Sequence, residues 1–393
     1  MKSSMDGFYL SARETATRLG VKLDTLYAYV SRGLLHSVAV AGHRERQYDA
    51  EEVDRFRASR GSARYGEPRA TVIPVIDSAI GTIEGERHYY RGQDALALAM
   101  TASLEDIAAL LWNIAPSALV PLSHGVRQPG CAGGLIERCH IALAEAAASD
   151  FAALDLSRPG LVRTGRSILA LLTACVTQHA VCEHSVHDQL SVAWGLDASG
   201  SDVVRRCLVL LADHELNAST FVARCIASTG ATPYAVVTGA LAALSGRRHG
   251  GVSARAEAMF RELAEAPDPV PVMAARLARD ETLPGMGQPL YPHGDPRAHA
   301  IVTALAAAVP KRAQWIDGIV EGATRLGGQR PNVDFALGLT ATVLGLPQGA
   351  AFAIFLVARS VGWIAHAIEQ YDSTVLIRPR ARYTGPAPIS AEP

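Results

Sequence analysis

From residue 96 onward the chain is a succession of apolar stretches in which hydrophobic residues recur every three or four positions, each closed by a Gly or Pro break; residues 104–112, 168–176, 203–211 and 351–368 are the clearest. That spacing predicts helices, and the Ala, Leu and Arg that dominate them are good helix formers. Several of these segments are apolar on most faces, which requires burial among other helices and points to a large, mainly α body. Residues 70–92 read differently. There Val72, Ile73, Val75, Ile76 and Ile80 precede Gly81 and Gly85, a pattern for short strands or a hairpin. No period of about 20–50 residues marks a solenoid. The 393 residues suffice for two or three folding units, and 49% hydrophobic against 19% charged residues excludes a disordered chain.

Charge is unevenly divided. The whole sequence carries 37 Lys and Arg against 38 Asp and Glu, which excludes a whole-molecule electrostatic grip on nucleic acid or membrane. Residues 1–64 contain 11 basic and 8 acidic side chains, a net of +3, leaving 26 against 30, or −4, for the rest. Between these regions, residues 59–68 are small, polar and broken by Gly and Pro, as in a linker. Cys131, Cys139, Cys175, Cys182, Cys207 and Cys225 include no CxxC pair and read as packed, reduced thiols. The start MKSSMDGFYLSARE has no apolar signal core, and no stretch of some twenty apolar residues runs without a charge or a Gly/Pro break. The expected compartment is the cytoplasm, with no membrane partner.

In the basic head, Ser11 and Glu14 form a capping-box pattern opening a helix that ends at Gly20. A second helix runs from Leu23 to Gly33 and completes a helix-turn-helix, its second helix suited to a major groove. Residues 38–48, with Gly42-His43-Arg44-Glu45-Arg46 at their middle, predict a two-stranded wing, and 49–60 a third helix. Through Ala16, Leu19-Gly20-Val21, Thr25-Leu26, Tyr29, Gly33-Leu34, Arg44, Tyr48 and Val53, the head resembles winged helix-turn-helix domains of the excisionase and MerR type over about fifty residues. The resemblance implies possible DNA contact through Thr25, Tyr27, Arg32, Arg44 and Arg46. The same module would serve equally for packing or dimerisation, and a net of +3 attracts phosphate only modestly.

In the body, polar residues interrupt apolar helical sequence beside glycines: Asp213 to Phe221, Gly246-Arg247-Arg248-His249-Gly250-Gly251, Leu283 to Tyr291 with Gly294-Asp295-Pro296-Arg297, Pro331-Asn332-Val333-Asp334-Phe335, and Arg359-Ser360-Val361-Gly362-Trp363 followed by Ile377-Arg378-Pro379-Arg380. With Ile76-Asp77, Gly81, Tyr90-Arg91-Gly92 and Ala102-Ser103-Leu104-Glu105-Asp106, these resemble the citrate synthase family over most of residues 70–386. The resemblance implies an all-α, two-domain body with a small domain at approximately 218–325 inserted in a large one, after a head at 1–62 and a linker at 63–69, and before a flexible tail at 387–393. It also implies a homodimer and condensation of an acyl-CoA with oxaloacetate or a related 2-oxo acid. No cofactor is implied, coenzyme A entering as a thioester substrate.

A thioester's α-carbon is a weak acid, so this chemistry needs a carboxylate base on one side and a preorganised donor at the developing enolate oxygen on the other. By resemblance Asp334 is the base and His249 the neutral donor. A dicarboxylate calls for guanidinium forks; the resemblance implies Arg297, Arg359 and Arg378, the last reaching from the partner subunit, with His214 and Asn217 on the opposite side. One position departs from the family: Gln288 stands where a histidine polarises the ketone. Glutamine still donates an N–H but cannot titrate, so activity is expected to be weak or the substrate altered; His293, five residues on, is a possible substitute. Coenzyme A contacts are expected from the loop Pro284, Gly285, Met286, Gly287 and from Arg248 and Lys311, with Arg247 and Arg312 as further basic candidates. Cys175, His179, Cys182, His184 and His187 match no familiar metal spacing and read as packing residues, so no metal is expected. Two functions follow: a citrate-synthase-type acyltransferase, or a transcriptional regulator whose dimeric body senses a metabolite.

Overall fold

A computed structural model describes residues 9–31, 35–38, 46–50, 52–53, 76–116, 133–179, 184–373, 375–379, 381 and 383–386. The chain divides into two units, 1–75 and 76–393. That boundary falls a few residues beyond the expected linker; residues 63–69, like the tail at 387–393, lie outside the described residues.

In the first unit, β1 (Tyr9–Leu10) leads into α1 (Ala12–Leu19) and α2 (Leu23–Ser31), and β2 (Tyr48–Asp49) pairs antiparallel with β1, Leu10 opposite Tyr48. The capping box is formed: Ser11 N donates to Glu14 Oε2 at 2.8 Å and Glu14 N to Ser11 Oγ at 3.3 Å. Gly20 closes α1 with φ 66°, a left-handed C-cap that glycine adopts without strain. Leu19, Leu26, Leu35, Tyr48 and Val53 gather into the unit's own core. Of the expected wing, Val38 and Gln47 form an antiparallel bridge, residues 39–45 lying outside the described residues. Of the expected third helix, Ala50, Glu52 and Val53 are helical, and 54–60 lie outside.

In the second unit, β3 (Gly81–Glu84), β4 (Arg87–Tyr90) and β5 (Gln93–Asp94) form a three-stranded antiparallel sheet in sequential order. It occupies the end of the segment expected to hold strands; Val72, Ile73 and Val75 lie outside the described residues. The helices that follow are α3 (Ala95–Leu98), α4 (Leu104–Trp112), α5 (Leu135–Ser149), α6 (Arg158–Thr177), α7 (Val186–Trp194), α8 (Ala198–Leu211), α9 (Ala218–Ala227), α10 (Pro233–Leu244), α11 (Gly251–Glu265), α12 (Pro269–Ala278), α13 (Pro296–Ala308), α14 (Ala313–Gly327), α15 (Val333–Val343) and α16 (Ala350–Tyr371). The four strongest periodic segments thus fall within α4, α6, α8 and α16.

Helix α16 is the axis of this unit. It packs against α4, α6, α8, α9 and α10. It is long and apolar enough to cross a membrane, yet its apolar window is wholly buried by the rest of the chain, as in a soluble core helix. Close crossings are set by glycine: a Cβ on Gly165 of α6 would lie 2.9 Å from Ile364 Cγ2, and one on Gly338 of α15 would lie 2.7 Å from the backbone of Ala256 and Glu257 on α11. A buried donor and a half-buried one cap helix ends, Tyr90 Oη to Val209 O at 2.9 Å and Arg91 Nη2 to Leu111 O at 2.8 Å. Glu257 does the same for the start of α16, accepting from Gly349 N at 2.8 Å and Ala351 N at 3.1 Å. Cys139, Cys175 and Cys207 are buried and reduced, Cys225 half-buried and reduced; Cys131 and Cys182 lie outside the described residues.

Candidate active site

Two of the three arginines expected to bind carboxylates are almost completely buried, Arg297 at 1% and Arg359 at 2% exposure. They are held differently. Asp295 caps the start of α13 and pairs with Arg297 two residues on, Oδ1 taking Nε at 3.0 Å and Oδ2 taking Nη2 at 2.9 Å. This two-pronged pair leaves Nη1 without a partner among the described residues. Arg359, mid-way along α16, donates Nε to Leu211 O at 2.8 Å and lies over the Phe355 ring. Its two terminal nitrogens have no hydrogen-bond partner among the described residues, and no carboxylate there lies within ion-pair reach. Burial lowers its pKa to about 10, with Asp213 the first of the charges that counter the shift.

Asp213 and His366 are both fully buried, with Oδ1 and Nε2 3.2 Å apart but not aligned as a hydrogen bond. Burial alone would raise the Asp213 pKa; the charges of His366 and Arg359 outweigh it and bring it below the usual range. The next residue, His214, is buried with Nε2 3.0 Å from the Tyr291 hydroxyl. Burial, reinforced by Arg297, His88 and Arg359, holds its pKa well below the usual value, so it is neutral. His88, from β4, packs edge-on to His214 at 5.3 Å. Both His88 ring nitrogens are buried without partners, and burial lowers its pKa to about 3.

His249 sits in the turn before α11, its N–H bonded to Gly246 O at 2.9 Å. Gly250 has to be glycine, since a Cβ there would meet Leu244 O at 2.8 Å. His249 Nε2 lies 2.8 Å from Ser219 Oγ, which also receives Trp363 Nε1–H at 3.1 Å and faces Asn217 Oδ1 at 2.9 Å. Burial, helped by the Arg359 charge, lowers the His249 pKa to about 4 and leaves the ring neutral. Asn217 itself caps α9, its Oδ1 accepting from Thr220 N at 3.3 Å and its Nδ2 reaching His214 O at 3.3 Å.

Asp334 lies in the first turn of α15, half-buried, where its Oδ1 accepts from the Ser253 hydroxyl of α11. Burial raises its pKa to about 6, against the opposing pull of Ser253, which stabilises the carboxylate. Asn332 connects this carboxylate to the expected coenzyme A loop, its Oδ1 taking Asp334 N at 2.9 Å and its Nδ2 donating to Gly287 O at 2.7 Å. Gly287 N bonds Arg330 O, and Asn332 N bonds Gly285 O, each at 2.8 Å. A Cβ on Gly285, at φ 84°, would strike Phe335 N at 2.3 Å. Pro284 and Gly285 are buried, Met286 and Gly287 half-buried.

Gln288 is half-buried, its Oε1 meeting Leu290 N at 3.4 Å and its amide nitrogen without a partner among the described residues. Beside it, a cavity of about 770 Å³ is lined by Met286, Gly287, Gln288, His293, Gln329 and Arg330 among others. His293, the possible substitute, lines the same cavity as Gln288. Its side chain is 87% exposed and pairs with Glu86 at the hairpin turn.

Arg248, Lys311 and Arg378 are exposed and make no hydrogen bond or ion pair to another described residue. In the first unit Thr25 is half-buried and Tyr27 is 53% exposed on α2, while Arg46 donates to Ser37 O and Oγ at 3.2 and 3.0 Å. Arg32 and Arg44 lie outside the described residues. Among the described residues no three His, Cys, Asp or Glu side chains gather as metal ligands.

The second unit is therefore a helical protein organised around two buried guanidiniums with free donors, and around a carboxylate and an imidazole both shifted by burial. A sequence model of the citrate synthase C-terminal domain matches residues 163–380, more than half of the chain, and the chain belongs to the citrate synthase family. A model of MerR HTH family regulatory proteins matches residues 10–61. The sequence is 38% identical over 193 residues to citrate synthase 2 of Bacillus subtilis (47% of this chain, 51% of that protein) and 37% identical over 186 residues to 2-methylcitrate synthase of Mycobacterium tuberculosis (45% and 47%). The chain thus spans about half the length of the curated relatives it matches. Citrate synthase from Thermotoga maritima MSB8 is similar in structure, with TM-score 0.66 at 25% identity over 82% of this chain and 96% of that one. Citrate synthase from Thermoplasma acidophilum, in a ternary complex with carboxymethyl coenzyme A and oxaloacetate, has TM-score 0.66 at 24% identity over 82% and 97%.

Proposed function

We propose that the chain condenses an acyl-CoA, acetyl-CoA or propionyl-CoA, with oxaloacetate to give citrate or an alkylcitrate. The observation that carries this reading is the Arg359 guanidinium, buried in an apolar helix with both terminal nitrogens unpaired. A buried cation without a counter-ion is costly, and a carboxylate ligand is the group that balances it. Arg297 Nη1 offers a second site for the same dicarboxylate, with His214 supplying a neutral donor.

In this reading ionised Asp334 removes a proton from the acyl α-carbon while a neutral His249 N–H holds the thioester oxygen, giving an enolate stabilised by that hydrogen bond. The enolate carbon attacks the ketone carbon of oxaloacetate, whose oxygen gains charge beside Gln288 and His214 and then takes a proton from solvent. Water then cleaves the thioester and releases coenzyme A. The donor role of His249 requires the Ser219 proton on Nε2 and therefore an N–H on Nδ1. The loop 284–288 and the cavity beside Gln288 support a coenzyme A site, with Arg248 and Lys311 as phosphate partners. The exposed, unpaired Arg378 suits completion of a partner subunit's site in a homodimer. The small domain is assigned to approximately 218–325.

Thiol release from acetyl-CoA and propionyl-CoA with oxaloacetate tests the reading, and no release by wild type or Gln288→His overturns it. The MerR-type match at residues 10–61 and the exposed Tyr27 on α2 favour a second reading, a dimeric DNA-binding regulator with a metabolite-sensing body. Absence of binding to upstream DNA even at low salt removes that one.

A further inference from the structure

We infer that Tyr291 is a positioning residue that fixes which nitrogen of His214 carries the proton, and so which one donates to the 2-oxo acid. The Tyr291 hydroxyl and His214 Nε2 are 3.0 Å apart, both residues buried, Tyr291 at 1% and His214 at 7% exposure. Among the described residues this is the only hydrogen bond either side chain makes. The contact has two settings. If Nε2 carried the hydrogen, the phenol would accept it and its own proton would be left buried without an acceptor. If the phenol donates to Nε2, its buried proton is satisfied and the imidazole hydrogen sits on Nδ1, which has no partner among the described residues but is not one of the fully buried side-chain atoms left unpaired, so a ligand or water can accept from it.

Neither group escapes this choice by ionising. Burial raises the Tyr291 pKa to about 12 and holds that of His214 well below the usual range. The ring has little freedom to turn away, because His88 packs edge-on at 5.3 Å and the Tyr291 ring at 5.7 Å. Tyr291 acts on a second group as well, its ring lying 5.3 Å from the Arg297 guanidinium. One side chain therefore orients a neutral donor and a cation assigned to the same dicarboxylate.

The inference rests on the proposed oxaloacetate site, and its test separates the two. The full chain is labelled with 15N in the histidine rings, and the His214 signals are assigned by their loss in His214→Gln. Solid-state 15N spectra of wild type are expected to show Nδ1 protonated and Nε2 bare. In Tyr291→Phe, which keeps the ring over Arg297, the two tautomers are expected to mix and the Kd for oxaloacetate to rise roughly three- to tenfold, the scale of one hydrogen bond. A wild-type His214 protonated at Nε2, an unchanged tautomer in Tyr291→Phe, or an unchanged Kd overturns the assignment. If wild type binds no oxaloacetate, the function proposed above fails, and the spectra alone decide the role of Tyr291.

Discussion

Ser219 Oγ stands 2.8 Å from His249 Nε2, and the same oxygen receives the indole N–H of Trp363. With one lone pair committed to Trp363, the hydroxyl proton is left to choose between His249 and Asn217. Ser219→Ala removes the group that would hold His249 as an Nδ1–H donor. We expect kcat to fall by about 10²-fold, the lower end for loss of one oxyanion donor, with the KM for oxaloacetate little changed. Steady-state kinetics with each substrate varied in turn would check this split.

Asp334 sets the acid side of the pH profile. Its pKa is raised to about 6, so the base is lost as pH falls through 6, and kcat/KM should decline along that limb. The neighbouring Ser253 stabilises the carboxylate, so Ser253→Ala should move the limb to higher pH. The native state also binds this proton more tightly than the unfolded chain, so the group's contribution to stability is lost as pH rises through about 6. Asp334→Asn should be inactive and, above that pH, at least as stable as wild type in urea titrations.

The two buried arginines should part company in stability measurements. Arg297→Met leaves Asp295 buried without its cation and should cost about 3–5 kcal/mol. Arg359→Met removes a guanidinium with no carboxylate in reach, leaving only the Leu211 carbonyl unpaired, and should stay within about 1 kcal/mol of wild type. Both should lose the high-affinity 2-oxo acid site. Denaturant midpoints set beside oxaloacetate titration distinguish these effects.

Gln288→His restores a ring that can both donate and take on charge. If the proposed chemistry holds, turnover should rise on the order of 10²-fold. Thiol release under saturating substrate reads it directly, and a drop in turnover would mean that glutamine is the adapted residue for another 2-oxo acid.

Gly338→Ala tests the α11–α15 crossing. The added carbon would lie 2.7 Å from the backbone of Ala256 and Glu257, so the helices must separate, at a cost of about 1–3 kcal/mol for overpacking. Because α11 carries Ser253 and α15 carries Asp334, activity should fall by more than the loss of folded protein measured by circular dichroism.

The parts legible in sequence were those where a polar residue breaks an apolar helical background. Arg359 in α16, Asp334 at the start of α15 and the Asp295-Pro296-Arg297 turn stand out for that reason, and the Ser11–Glu14 cap is a local pattern with a local cause. His88 gave no such signal, since it lies among polar and aromatic neighbours on a strand and meets His214 only when the chain closes over more than a hundred residues. Tyr291 lay within a segment already singled out, but a phenol's role depends on what faces it. Ser253, the third residue of α11, follows the His249 turn closely in sequence, but a serine there gives no signal until Asp334 is seen to face it. The wing and third helix of the head were read as elements, of which only the Val38–Gln47 bridge and the first residues of the helix fall within the described residues.

Helix α16 has one more consequence, at the stage of synthesis. Before the other helices enclose it, its 22 residues are a segment with the length and hydropathy of a membrane span. Arg359 lies near its midpoint, where a guanidinium adds about 2.5–3.5 kcal/mol to the apparent cost of insertion. The side chain assigned to anion capture thus also weighs against membrane insertion of the longest core helix.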